Sequence, residues 1–338
     1  MRKSFRTASY YRSQQNGVLD TIAPITFTVG QPDLSLVLKR RFDYAKSIAE
    51  GRAFDQSLIR GAPSRDISFD LPQVAKIFEA CEFAARKRHS IVPMLEAVSN
   101  GNIRQLLDFA RRILSSGHLD TKKILGLIET KGGYTIPDFE GVRTLFYGDY
   151  KQYDPSRSPF INMLDIRHAD RAEHFLRLAL LHYLSKTSID PDVTLGYVKE
   201  SDLIGYLASL GYSHAVVAEA IEYLVNGHCV EKHLLADSPS RSSRLLRITP
   251  LGRFHIFSLL PMFQYLDAII IDTPIIDESV RRKIDDVEQI HERLARTEAF
   301  LSYLDDCSRA IKDGELLAEW RRGAALAREN ISEVRLRT

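Results

Sequence analysis

The sequence is poor in the features that would assign it to a class at once. Cysteine occurs three times, at Cys81, Cys229 and Cys307. These are far apart and form no CxxC pair, which argues against a disulfide framework and points to a reducing, cytoplasmic setting. Long apolar runs are missing as well. The most apolar stretch, Phe254 to Ile271, is interrupted by Pro261, Gln264 and Asp267, well short of the ~20 uninterrupted residues a membrane span needs. The basic start, MRKSFRTASYYRS, has no apolar core behind it and so is not a secretory signal. Charge of one sign is scarce: 46 Lys and Arg against 44 Asp and Glu leave a formal +2. Binding to a polyanion therefore has to come from local patches and not from bulk charge. No HExxH, nucleophile elbow or Ser/His/Asp order occurs, and nothing points to an independent catalytic centre. What remains is a chain of 338 residues with 44% hydrophobic content, enough for two or three ordinary globular domains.

The most informative stretch is Arg171 to Phe257. Phe175, Leu178, Ala179, Leu181 and Leu184 share one stripe of a first helix, Arg171 to Lys186. Ser201 then caps a second helix, Asp202 to Leu210. A turn over Gly211, Tyr212 and Ser213 supplies a breaker and a fresh cap for a third helix from His214 to about Asn226, closed by Gly227. Two strand-like runs, Cys229 to Ala236 and Arg244 to Thr249, flank a Ser/Pro turn and read as a hairpin. This is the element order of a winged helix-turn-helix, with the hairpin as its wing. Such folds serve both as DNA readers and as protein-docking modules. The third helix carries Glu219 and Glu222 where a DNA reader carries Arg, Lys, Asn or Gln. The wing carries Arg241, Arg244 and Arg247, with Lys232 and His233 on the facing strand, and such residues can hold phosphates without reading bases. Both readings stay open on these residues.

Upstream, Ile25 to Val29 alternates as a strand does, and Asp33 caps a helix from Leu34 to about Ala49 that presents Lys39, Arg40 and Arg41 together. This opening looks like the tail of an α/β layer. Residues 51–70 are loop-like, and helices come next at Leu71 to Arg88 and Ile91 to Ser99. Asn100-Gly101 then makes a turn, and Asn102 caps a strongly amphipathic helix whose apolar line is Ile103, Leu106, Leu107, Ala110, Ile113 and Leu114. Arg104 lies in its first turn, where the helix dipole disfavours a cation. Further on come short helices at Leu119 to Ile128 and after Asp138, a tyrosine-rich stretch from Tyr147 to Tyr153, and a short strand from Ser158 to Leu164. Those tyrosines suit packing between subdomains, or stacking on bases. Beyond an apolar helix ended by Asp272 to Pro274, residues 277–311 place Val280, Val287, Leu294 and Leu301 seven apart, as in a long coiled-coil-like helix. A final helix surrounds Trp320. The pair reads as a hairpin folded on its own chain, or as a surface for self-association or partner docking.

Gly101-Asn102-Ile103-Arg104, set among short helices and succeeded by a winged helix, resembles the lid subdomain of AAA+ and related STAND P-loop ATPases, especially of the replication-initiator kind. In that family an arginine at the start of this lid helix senses the nucleotide phosphates, which the resemblance maps onto Arg104. The segment from Phe5 to Ser13 and the Lys-Arg-Arg helix resemble the stretch just beyond the phosphate-sensing strand of such ATPases. This implies inter-subunit contacts for Arg40 and Arg41. The likeness spans roughly Met1 to Leu260. It departs from the family at one decisive point: no Gly-Lys-Ser/Thr loop occurs, since Gly132-Gly133 lacks the lysine and Gly51-Arg52 lacks the rest.

The expectation is therefore a mainly α protein with small β elements. It comprises a remnant of a nucleotide-binding domain (1–60), a helical lid (61–130), a connecting segment (131–170), a winged helix (171–260) and a C-terminal helical hairpin (261–338). The resemblance implies the regulatory, DNA-contacting end of a P-loop ATPase that is not catalytic alone and needs no cofactor by itself. ATP and Mg enter only if a missing segment or protein partner completes the ATPase. Double-stranded DNA is the candidate ligand of Arg241, Arg244, Arg247 and Lys232; a membrane is not expected, and a homo-oligomer is compatible. The alternative is a non-enzymatic module that docks protein through the winged helix and C-terminal helices. His228, Cys229 and His233 could be written as a metal trio, but a closed zinc site uses four ligands in a tighter arrangement, and structural histidines suit a hairpin better. Asp165, Asp170 and Glu173 read as solvated carboxylates.

Overall fold

A computed structural model describes residues 33–49, 91–115, 126, 138–148, 153–187, 196–234, 244–284 and 287–337. The expected strand at Ile25, the helices at Leu71 and (Gly126 apart) Leu119, and the loop from 51 to 70 lie outside these residues. The described part is mainly helical with one small three-stranded antiparallel sheet.

Four helices open it: α1 (Leu34–Ala49), α2 (Ile91–Ser99), α3 (Ile103–Ser115) and α4 (Asp138–Tyr147). Asp33 caps α1 by accepting from the Leu36 amide at 3.1 Å, and Asn102 caps α3 by accepting from Arg104 N at 3.1 Å. Leu34 and Leu38 of α1 and Leu106, Ala110 and Ile113 of α3 are buried, the faces that the helical period predicts. Helix α1 packs on α2 and α3.

The middle of the chain runs through a 3-10 turn (Arg171–Phe175), α5 (Leu176–Thr187), β1 (Val198–Lys199), α6 (Glu200–Ser209), α7 (His214–Asn226), β2 (Val230–Leu234) and β3 (Arg244–Ile248). The sheet order is β1-β3-β2, and the hairpin pairs Val230 with Ile248 and Leu234 with Arg244. Two expectations are corrected here. Asp170 caps a 3-10 turn before the first helix becomes α-helical. The second helix starts at Glu200 after Lys199, with no side-chain cap, because β1 pairs Lys199 with Leu245 and leads straight into it. The turn before α7 is as expected: Gly211 has φ +103 and Ser213 accepts from Val216 N. At the other end of α7 the left-handed residue is His228, at φ +58, and not Gly227. A Cβ on Gly227 would lie 2.6 Å from the Ile161 side chain, so close packing requires the glycine.

Residues 158–164 do not form the expected strand. Side chains satisfy the backbone instead. Tyr265 Oη accepts from Met163 N and donates to Ile161 O, each at 2.9 Å. Tyr153 donates to Phe160 O at 2.9 Å, and His255 Nε2 accepts from Ile161 N at 3.2 Å. Buried backbone groups need a partner, and here no neighbouring strand is required to provide one. Tyr153 is thus committed to packing, beside Phe146 at 5.4 Å between ring centroids.

The apolar stretch after β3 is a broken pair. Helix α8 (Pro250–Phe254) continues as a π turn (His255–Leu259) and then bends by 102° into α9 (Phe263–Ile269) and a short 3-10 turn. Among the described residues no single helix is long and apolar enough to cross a membrane. The expected single helix over 277–311 is split into α10 (Glu278–Arg281) and α11 (Ile290–Ser308), with α12 (Gly314–Arg337) after them. Leu294 and Leu301 of the heptad line are buried against the rest of this chain, as is Leu304 beside them, while Val280 and Val287 are half-buried. Trp320 of α12 packs edge-on to Phe175 at 5.1 Å, and Tyr303 of α11 bonds His174 at 2.9 Å. Deeper still, the carboxylate of Asp267 on α9 takes Arg293 Nε at 2.9 Å and Arg296 Nη2 at 2.7 Å.

Candidate functional site

The hairpin was the expected phosphate-holding surface, and its cations are already engaged. Arg247 lies 3.0 Å from Glu231 on the facing strand, and its guanidinium stacks 4.6 Å from the Tyr197 ring centroid. The Tyr197 hydroxyl bonds the same Glu231 carboxylate. Arg244 is 3.8 Å from Glu200, a residue only 7% exposed at the first turn of α6. Lys232 is 2.6 Å from Glu222 of α7. Arg241 lies outside the described residues. The acidity of α7 is balanced in the same way, because Glu219 meets Arg167 at 3.9 Å. Cross-strand register produces the first of these pairs, since Glu231 is the direct partner of Arg247 and opposite charges placed opposite one another attract; helices α6 and α7 bring the other carboxylates.

The cations of α1 and α3 behave differently. Arg40, Arg41 and Arg104 are exposed, and among the described residues no carboxylate lies within ion-pair distance of them. On α3, Arg104, Asp108 and Arg111 share the outward face, Arg111 reaching Asp108 at 3.9 Å. The described residues of α1 with its cap carry four cations and two carboxylates, and those of α3 with its cap carry three and one, a net +4 in a chain of +2. Arg104 also sits where its own helix opposes it. Its amide is satisfied by Asn102 while its guanidinium remains exposed.

Between α3 and the hairpin lies a junction whose sequence announces only a turn. Asn100 adopts φ +44 and Gly101 φ +79. The Asn100 side chain donates through Nδ2 to His228 O at 3.1 Å and accepts at Oδ1 from Leu251 N at 3.2 Å. Thr249 Oγ1 donates to the same His228 carbonyl at 2.7 Å. Asn-Gly marks a turn in any chain, and no local signal points to partners 128 and 151 residues away.

The remaining candidates have structural roles. Cys229 is buried, its thiol pushed up by loss of solvation, with Sγ 3.6 Å from His255 Nδ1. Burial likewise holds the His255 imidazole down at about 4. Among the described residues no group of three His, Cys, Asp or Glu side chains could hold a metal ion. Asp165 meets the buried Arg177 at 3.4 Å, Asp170 caps the 3-10 turn, and Glu173 accepts from the amides of Arg167 and His168 at 3.0 and 2.8 Å. The Arg177 guanidinium, lying 4.1 Å from the Tyr223 ring centroid, is a buried cation that no spacing rule had singled out. Comparison of the chain with protein-family models, curated proteins and solved structures finds no match.

Proposed function

We propose that this chain is a C-terminal regulatory portion of a P-loop ATPase, in which α2 and α3 act as the lid and the α5-to-β3 unit acts as a winged helix that docks on protein. The observation that carries this reading is Arg104. It is an exposed arginine in the first turn of an Asn-capped helix, opposed by its own dipole and without a carboxylate partner among the described residues. Such a cation gains from an incoming phosphate and breaks no ion pair among the described residues to reach it. Arg40 and Arg41, also exposed, suit contact with a neighbouring subunit. ATP with Mg, held by a phosphate loop on another polypeptide, would supply the phosphoryl chemistry; this chain would supply the guanidinium. The docking role for the hairpin unit is supported by its paired cations, since DNA phosphates would have to displace Glu231, Glu200 and Glu222.

The test is co-expression with the product of the adjacent upstream reading frame, isolation of the assembly, and measurement of phosphate release. We expect ATP hydrolysis that falls at least about tenfold on Arg104→Ala while the mass of the assembly stays unchanged. Absence of any hydrolysing assembly, or an unaltered rate in the variant, overturns the proposal.

A further inference from the structure

The two ends of one side-chain amide tie the turn that carries Arg104 to the root of the hairpin, and we infer that Asn100 is the positioning residue through which phosphate contact at Arg104 is relayed to β2 and β3. The inference rests on the reading of Arg104 given above.

The geometry leaves little slack. Asn100 N donates to Ala97 O at 3.1 Å and Asn102 N to Ser99 O at 2.8 Å, so the turn is bonded at both ends. Asn102 then caps the first turn of α3. Only Gly101, Asn102 and Ile103 separate Asn100 from Arg104, and no flexible spacer intervenes. On the far side, Leu251 N is one of the amides that the first turn of α8 cannot satisfy itself. Asn100 Oδ1 accepts it from outside the helix, while Thr249 Oγ1 takes the neighbouring Gly252 N at 3.1 Å. His228 O, held by Asn100 and Thr249 together, lies two residues before β2, and Thr249 N closes the hairpin on Cys229 O at 3.0 Å. A Cβ on Gly252 would stand 2.3 Å from Cys229 O, so α8 lies directly against the hairpin root. A shift of the α2–α3 turn therefore acts on both strands at once.

Few side chains can do this. The site needs one donor, one acceptor and tolerance of positive φ, a combination met by asparagine. Aspartate keeps the bond to Leu251 N and cannot donate to His228 O. Glycine keeps the backbone conformation and loses both bonds. That separation makes Asn100→Gly the informative variant, because it removes the clamp without imposing strain on the turn.

The experiment is amide hydrogen exchange on the ATP-hydrolysing assembly, with and without a non-hydrolysable ATP analogue and Mg, for wild type, Asn100→Gly and Asn100→Asp. In wild type, analogue-dependent protection is expected over residues 102–113 and again over 228–234 and 244–252. In Asn100→Gly the first difference stays and the second is lost, with Asn100→Asp in between and all three melting as folded proteins. A hairpin response that persists in Asn100→Gly, or a wild type that responds at 102–113 alone, overturns the relay and leaves the reading of Arg104 standing. No response at 102–113 in wild type removes that reading and the relay with it.

Discussion

Replacing Asp267 by alanine should cost about 3–5 kcal/mol, and the reason lies in one buried arginine. Asp267 on α9 is 1% exposed and receives Arg293 and Arg296 from α11. Arg293 is 28% exposed and can turn toward solvent when its partner is lost. Arg296 is 5% exposed, so Asp267→Ala takes the carboxylate away from a charge that has little access to water. The penalty is assigned to that residue. The pair itself then adds little net stability over an apolar replacement, since desolvation offsets most of the attraction. Asp267→Ala combined with Arg296→Met should therefore recover most of the loss, giving a coupling energy of roughly 2–3 kcal/mol in the double-mutant cycle completed by Arg296→Met alone. The assay is urea unfolding monitored by tryptophan fluorescence. The single tryptophan, Trp320, is 2% exposed, packs on Phe175 and donates to Asp305 at 3.0 Å, so it reports directly on the packing of α11 and α12. A loss below about 1 kcal/mol in Asp267→Ala, or a double variant as unstable as the single, would refute the reasoning.

Two further predictions concern the core and the junction. His255 is neutral in the folded protein, donating from Nδ1 to Leu251 O and accepting at Nε2 from Ile161 N, and burial holds its pKa at about 4. The unfolded chain takes up a proton near the ordinary value of 6.5, so stability from this group is complete above that pH. It declines as pH falls toward 4, by up to roughly 3 kcal/mol. His174, also pushed down by burial, acts in the same direction. Denaturant midpoints that stay level between pH 7 and 4.5 would contradict this. Gly252→Ala should destabilise by about 1–3 kcal/mol, given the approach to Cys229 O, whereas Gly205→Ala, at an exposed position of α6 with nothing within 4 Å of its Cβ, should stabilise by about 0.5–1 kcal/mol. Thermal midpoints that move in the same direction for both glycines would contradict the pair.

Period and punctuation made the local elements legible. The apolar lines of α1, α3 and α7, the Asp33, Asn102 and Ser213 caps and the hairpin strands all rest on residues within one or two turns of each other. What escaped depends on distant partners. The run from Ser158 to Leu164 reads as a short strand, yet its amides and carbonyls go to Tyr153, Tyr265 and His255, and the last two lie about a hundred residues away. The seven-residue spacing at 280–301 marks a line of which Leu294 and Leu301 are buried and Val280 and Val287 half-buried, and it wrongly suggested one continuous helix. The chain was free to break before Ile290, because α9 and the 3-10 turn at Arg171 supply the surface that α11 covers.

Charge was the feature most open to misreading, because a sequence gives the number of cations and not their neighbours. Arg244, Arg247 and Lys232 form a basic wing in sequence, and in the structure register sets Glu231 opposite Arg247 and the helices bring Glu200 and Glu222 alongside. An anion arriving there gains a contact and releases an internal carboxylate, so its net gain is small. At Arg104 the same exchange displaces no carboxylate of the described residues, and the unfavourable end of the α3 dipole is relieved besides. Two arginines of equal formal charge therefore differ in what they offer a phosphate. That difference, and not the basic composition of either element, is why we propose a phosphate contact at the start of α3 and not at the hairpin.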